Sequence, residues 1–244
     1  MNDLQPLRSI EVPRPIPVVL SFVAGYVDSC TYLALFGVFV AQVTGSFVLA
    51  ATQFVTSEPG ALAKLLAIPV FFLAGVAVTV LVRPLRERPR VALARSLGVE
   101  CLLLIGFLAA CLVGVPFRGP DAPGAIVALL FGMAAMGAQS ALVRLLMRGV
   151  ASTNVMTTNT TLVAINAAEI LVGWIERRKS RPSGSSNAGY AQAHRELAAL
   201  LPLGLGFLGG TALGAIAYTT VGLPCVLLAI LPVGSFALWY MRHS

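Results

Sequence analysis

The chain is poor in charge. Only 11% of its 244 residues are Asp, Glu, Lys or Arg, whereas a typical soluble domain has about 25%. Hydrophobic residues make up 57%. Seventeen basic and ten acidic side chains cannot cover the surface of a soluble protein of this length, and disorder would need low hydrophobicity and high charge. The composition therefore excludes both classes and predicts an all-α integral membrane protein with several crossings.

Cysteine and histidine are also scarce. The four cysteines lie in apolar runs without a CxxC pair, which is typical of small buried hydrophobic residues. His194 and His243 stand apart in a polar loop and at the C-terminal end. Because no nucleophile–base pair, metal-ligand cluster or phosphate-binding loop is present, we expect no enzyme, no metal site and no cofactor.

Eight stretches are apolar enough to be considered as membrane crossings, each of which needs about 20 residues. They are separated by two conspicuous polar loops, at about 83–90 and 176–196, and the second is the only candidate for a flexible linker. The eight stretches are approximately 16–35, 38–56, 61–82, 92–114, 124–146, 149–172, 197–219 and 222–241.

An internal repeat appears when the chain is shifted by 112 residues. Each copy has a glycine, a second glycine twelve positions later and then a Thr-rich polar patch inside an apolar run. One residue of slippage aligns 43–46 with 156–159. The other equivalent pairs are Gly25 with Gly137, Gly37 with Gly149 and Gln42 with Asn154.

Charge gives the topology. The loops at 83–90 and 176–181 each carry four basic residues, so both are expected to be cytoplasmic. Eight simple crossings cannot place both loops on one side. The conflict disappears if the first two apolar stretches of each half make one net crossing, one of them being broken or re-entrant. The sequence then predicts about six net crossings plus two broken or re-entrant segments, in two inverted three-crossing repeats. The net charge of +7 marks topology and does not indicate a nucleic-acid partner.

This topology divides the chain into four parts, with both termini cytoplasmic. They are a cytoplasmic N-terminal tail (1–15), a first membrane repeat (16–114), an external connector (115–123) and a second membrane repeat (124–241) with a cytoplasmic loop at about 176–196.

Polar and ionisable residues inside the apolar stretches are the candidate site. Four of the ionisable residues, Asp28, Glu100, Arg144 and Glu169, are expensive to place in a membrane and are functional candidates by default. Asp28 is either a proton- or cation-binding carboxylate or one partner of a structural salt bridge, for instance to Arg144. The polar patches either line a substrate path or act as hydrogen bonds between helices. The predicted path residues are Asp28, Gln42, Thr44, Gly45, Ser46, Gln139, Arg144, Asn154, Thr157, Thr158 and Asn159.

The run Gly25-Tyr26-Val27-Asp28-Ser29, followed by Gly37, Phe39 and Val43-Thr44-Gly45-Ser46, resembles the signature of the YoaK family of bacterial membrane proteins. Ser46 stands where that family usually has Asn. The resemblance covers nearly the whole chain and implies a protein of the bacterial cytoplasmic membrane. It implies no substrate, because the family is largely uncharacterised.

Two functions remain open. The first is a transporter or channel for a small solute or ion, with its path between the repeats. The alternative is a non-transporting membrane scaffold or partner subunit. Partners other than lipid and solute are not indicated, except for a homo-oligomer through Gly206, Gly210 and Gly214, whose four-residue spacing puts them on one helix face. That face serves internal packing equally well.

Overall fold

A computed structural model describes residues 9–179 and 184–243 of the chain. These residues are mostly helical, and one isolated bridge joins Ile10 to Met147. Within this part of the chain the α-helices are α1 (Pro15–Ala34), α2 (Val43–Val55), α3 (Ala61–Val82), α4 (Pro89–Gly114), α5 (Pro123–Leu146), α6 (Met156–Lys179), α7 (Gly184–Val221) and α8 (Leu227–Arg242).

Six segments of the described residues are long and apolar enough to cross a membrane, the same number as the net crossings expected from charge. The remaining two helices are those of the segments predicted to be broken. With 13 residues, α2 is about 20 Å long and cannot span a hydrocarbon core of about 30 Å. Helix α6 is long enough, but its sequence is too polar. The six candidate spans are Pro15–Ala34, Ala61–Leu85, Pro89–Gly114, Pro123–Leu146, Gly189–Val221 and Leu223–Arg242.

The breaks lie before α2 and α6 rather than within them. Residues 35–42 and 147–155 are outside any α-helix. Each stretch contains a glycine with positive φ, 75° at Gly37 and 70° at Gly149, a conformation that glycine adopts without the cost that a Cβ would bring. The ends correspond as the sequence repeat predicts, because α1 ends 112 positions before α5 and α2 begins 113 positions before α6.

The two most buried spans, α1 and α5, form the centre of the bundle. In their most apolar stretch 67% and 61% of the residues are buried, against 17% for the α3 span. They run antiparallel, because Gln139 of α5 bonds to Leu20 of α1 while Gly132, earlier in α5, lies beside Thr31, later in α1.

Small residues bring α7 against α1. A Cβ added to Gly206 would lie 2.8 Å from the carbonyl oxygen of Val18, and one added to Gly210 would collide with that of Phe22. Because the later residue of α7 lies beside the later residue of α1, the two helices are parallel. Gly214 continues the series. This glycine face is therefore occupied by α1, and a homo-oligomer formed through it would require α1 to leave.

Both described ends of the chain lie at the same end of the bundle. Ile10 exchanges backbone hydrogen bonds with Leu146 and Arg148 at the end of α5, and Arg90 at the start of α4 reaches the carbonyl oxygen of His243. The α4–α5 connector lies at the opposite end, where Asp121 accepts a hydrogen bond from the Gly60 amide at 2.8 Å.

The region expected as a loop at about 176–196 is largely helical where the structure describes it. Helix α6 continues to Lys179 and α7 starts at Gly184, so residues 180–183 lie outside the described part. The guanidinium of Arg177 stacks on the ring of Tyr190 at 3.9 Å. This cation–π contact and the helix-forming composition of 191–200 extend the helical hairpin.

Candidate functional site

Asp28 holds the non-helical stretch that precedes α2. Its carboxylate accepts hydrogen bonds from the backbone amides of Val40 at 2.8 Å, Ala41 at 2.6 Å and Gln42 at 3.2 Å. The side chain is 2% exposed. Three amide donors offset part of the cost of burying this carboxylate, and they tie the start of α2 to the middle of α1. In the described structure Asp28 is therefore bonded to backbone, not to Arg144.

Side-chain amides and hydroxyls hold the equivalent stretch before α6. Gln139 donates to Thr153 Oγ1 and Asn154 Oδ1, both at 3.0 Å, and to the Leu20 carbonyl oxygen of α1 at 3.0 Å. Asn154 donates to Ser140 Oγ at 3.0 Å. Ser140 follows Asp28 by 112 positions. Equivalent positions in the two halves therefore each accept a hydrogen bond from the non-helical stretch that follows.

A polar side chain in the first turn of α2 and one in the first turn of α6 make equivalent hydrogen bonds. Ser46 in α2 donates to the Phe39 carbonyl oxygen at 2.6 Å, and Asn159 in α6 donates to that of Ser152 at 2.7 Å. Both bonds span seven residues and lie 113 positions apart. Ser46 and Asn159 are buried, so these two predicted path residues serve the local structure.

A cavity of about 930 Å³ lies between α2, α3, α5 and α6, and only some of the predicted path residues line it. Gln42 and Thr44 from the first half and Asn154 and Thr157 from the second line it, together with Arg144. Asp28, Gly45, Ser46, Gln139, Thr158 and Asn159 are not among its lining residues.

The cavity walls are mainly apolar, and sequence reasoning missed them. A wall of aromatic and aliphatic side chains carries no signal in a chain that is apolar throughout. Ser140 also lines the cavity and was missed, although its position, equivalent to that of Asp28, would have identified it. The main apolar lining residues are Phe47, Ile68, Phe71, Phe72, Val76 and Val80.

Arg144 is the charged side chain among the residues that line this cavity. It is exposed near the C-terminal end of α5, one turn before Arg148. Its guanidinium offers donors suited to a carboxylate or a phosphate. The cavity thus combines one positive charge, several hydroxyl and amide groups and an apolar wall, a composition typical of sites for small molecules.

These observations define a polytopic helical membrane protein with an internal polar break in each half. The family described as "Protein of unknown function (DUF1275)" matches residues 16–239, and the chain belongs to it. This match is consistent with the resemblance to the YoaK family. Comparison with curated proteins and with solved structures finds no match.

Proposed function

We propose that this protein moves a small solute or ion across a membrane, along a path through the cavity between α2 and α6. The observation that carries the proposal is that polar residues from the two halves line one cavity, at the N-terminal ends of the two helices that are not candidate spans. Irregular backbone at membrane depth is tolerated where it is buried in protein or lines water.

Inverted repeats would explain how such a path opens alternately to the two sides. The antiparallel course of α1 and α5 supports them. So does the packing at equivalent glycines, because a Cβ at Gly25 would collide with the carbonyl oxygen of Phe207 in α7, and one at Gly137 with that of Phe71 in α3. The pairs α1–α7 and α5–α3 are equivalent under exchange of the two halves.

The orientation that we propose puts both termini in the cytoplasm of a bacterium, with the bundle in the cytoplasmic membrane. Of the fifteen Lys and Arg residues that the structure describes, thirteen lie at or near the end of the bundle that carries the described chain ends, and Lys64 and Arg118 lie near the other. Basic residues concentrate on the cytoplasmic side of membrane proteins.

The charge of the residues that line the cavity limits the class of solute that we expect. Arg144 contributes a positive charge, and among the described residues no carboxylate lines the cavity, so a cation would meet repulsion without compensation. Phe71, Phe72 and their neighbours favour a solute with an apolar part. We therefore expect a small organic anion or a neutral polar molecule as the solute.

The test uses two arginines one turn apart. Arg144→Gln should lower counterflow of a bound organic acid in proteoliposomes by about tenfold or more, because a hydrogen bond to a charged group contributes about 1.5–3 kcal/mol. Arg148→Gln is the matched control, since Arg148 is exposed but lies outside this cavity, and it should retain counterflow. Equal activity of both variants would contradict the assignment of Arg144. A panel of radiolabelled carboxylates identifies the solute first.

A scaffold without transport is the alternative, and the bonding of Gln139, Asn154, Ser46 and Asn159 favours it for those four residues. They make the interhelical or local hydrogen bonds that packing alone requires. The scaffold does not explain why Thr44 and Thr157 remain exposed on a cavity.

A further inference from the structure

Glu100 is a buried carboxyl group that the site described above does not use. It lies in the middle of α4 and is 0% exposed. Neither of its carboxyl oxygens has a hydrogen-bond partner among the described residues. An ionised carboxylate without a partner is very costly in an apolar interior, so the geometry fits a protonated, neutral carboxyl group.

The position of Glu100 is one where packing alone would favour leucine. The face of α4 that is buried in the bundle carries Leu93, Leu97, Leu104 and Phe107, at the spacing of a helix stripe. Glu100 occupies the centre of the same stripe. A polar residue that weakens the core and gains no bond there indicates a role other than packing.

Asp28 provides the contrast within the same protein. It is buried to the same degree, but three amides donate to its oxygens, which stabilises the charged form. The surroundings of the two buried carboxyl groups therefore differ: Asp28 has three donors that favour its charged form, and Glu100 has none among the described residues.

No charged group of the described structure compensates Glu100. On α4 itself, Cys101 follows Glu100 directly, and Arg95, five positions before Glu100, is exposed. On the segments packed against α4, the titratable side chains lie toward the ends, away from its level. Arg144, for example, follows Ala138, the residue level with Glu100, by six positions, about 9 Å of helix rise. These side chains are Arg144 on α5, Tyr240 and Arg242 on α8, Lys64 on α3, Arg83 after α3 and Cys225 before α8.

Glu100 lies one helix away from the cavity. Helices α4 and α5 are antiparallel, since Gly106 lies beside Phe131 and Gly114 beside Gly124. This register puts Glu100 level with Gly137 and Ala138, and Gly137 lines the cavity. A shift of α5 against α4 would therefore change the surroundings of Glu100 and the shape of the cavity at the same time.

We propose that Glu100 is a proton-binding site whose loading couples the cavity to a proton gradient. The proton binds by forming an O–H bond to one carboxylate oxygen and leaves to water when that bond breaks, in a conformation that hydrates α4. The coupling rests on the proposed transport function, whereas proton binding does not. For a solute with a single negative charge, movement together with one proton is electrically neutral.

Infrared spectroscopy of the full-length protein in liposomes tests proton binding. At neutral pH the wild type should show the C=O stretch of a protonated carboxyl group. Glu100→Gln, which has the size of the protonated side chain, should lose that band and fold normally. Asp28→Asn should keep it. An unchanged band in Glu100→Gln, or no such band in the wild type, would overturn the proposal.

Thiol labelling tests the coupling without a known solute. In a variant with its four cysteines replaced, Thr157→Cys reports the cavity and Glu58→Cys, in an exposed turn, serves as the reference thiol. The labelling ratio should change with pH, and Glu100→Gln should abolish that change. A labelling ratio that does not depend on pH in the variant that retains Glu100 overturns the coupling. Absence of any labelling at Thr157→Cys instead contradicts the path itself and leaves the infrared result standing.

Discussion

Asp28→Ala is expected to destabilise the protein by on the order of 5 kcal/mol. The substitution leaves the buried amides of Val40 and Ala41 and the partly buried amide of Gln42 without their acceptor, and each buried donor that loses its partner costs about 1–3 kcal/mol. The measurement is the melting temperature or the free energy of unfolding in mild detergent.

Ser29→Ala is the matched control for Asp28. The neighbouring hydroxyl makes one hydrogen bond, to the Thr211 carbonyl oxygen at 2.9 Å, so its loss should cost only about 1 kcal/mol. The destabilisation caused by Asp28→Asn should lie between these two values. The oxygen of the asparagine side chain can still accept a hydrogen bond, but its NH2 group would face a backbone N–H donor. A wild-type melting temperature for Asp28→Ala would show that these three bonds do not hold the break.

Gly210→Leu is expected to separate α7 from α1 and cost about 3 kcal/mol or more. Even a Cβ at this position collides with the Phe22 carbonyl oxygen, and backbone cannot move aside as a side chain can. Gly209→Leu is the control, because a Cβ at Gly209 meets open space and leucine favours helix over glycine by roughly 1 kcal/mol. Folded yield and thermal unfolding in detergent compare the two. Equal stability of both variants would contradict the α1–α7 interface.

The number of candidate spans could be predicted from the sequence because so few charges are present. Loops 83–90 and 176–181 alone made eight simple crossings inconsistent and required one of the first two apolar stretches of each half not to cross fully. In the described residues, the helix of the second stretch of each half, α2 and α6, is not a candidate span. The repeat of 112 residues likewise agrees with the separation between the ends of α1 and α5. Both signals are properties of the chain that need no knowledge of side-chain contacts.

The partners of the buried polar residues could not be predicted. Asp28 bonds to backbone amides, and every residue except proline has one, so no sequence signal distinguishes Val40 or Ala41. The salt bridge considered with Arg144 gave the wrong partner in the described structure for the same reason. The exact position of each break could not be predicted either. The non-helical stretches 35–42 and 147–155 contain the glycines with positive φ, Gly37 and Gly149.

The helical extension of α6 and α7 was also missed. Charged and small polar residues around 176–196 resemble a linker by composition. The stacking of Arg177 on Tyr190 joins residues thirteen positions apart, across the hairpin, and such a pair is recognised only once both helices are known.

Access to Thr157 from the two sides of the membrane tests the central claim most directly. In a variant with its four native cysteines replaced, Thr157→Cys is treated with a membrane-impermeant thiol reagent, in intact cells and in inside-out vesicles. A path through the cavity predicts labelling from both sides, and protection by the transported solute in both cases. Labelling from one side only, or from neither, would contradict transport through this cavity and favour the scaffold.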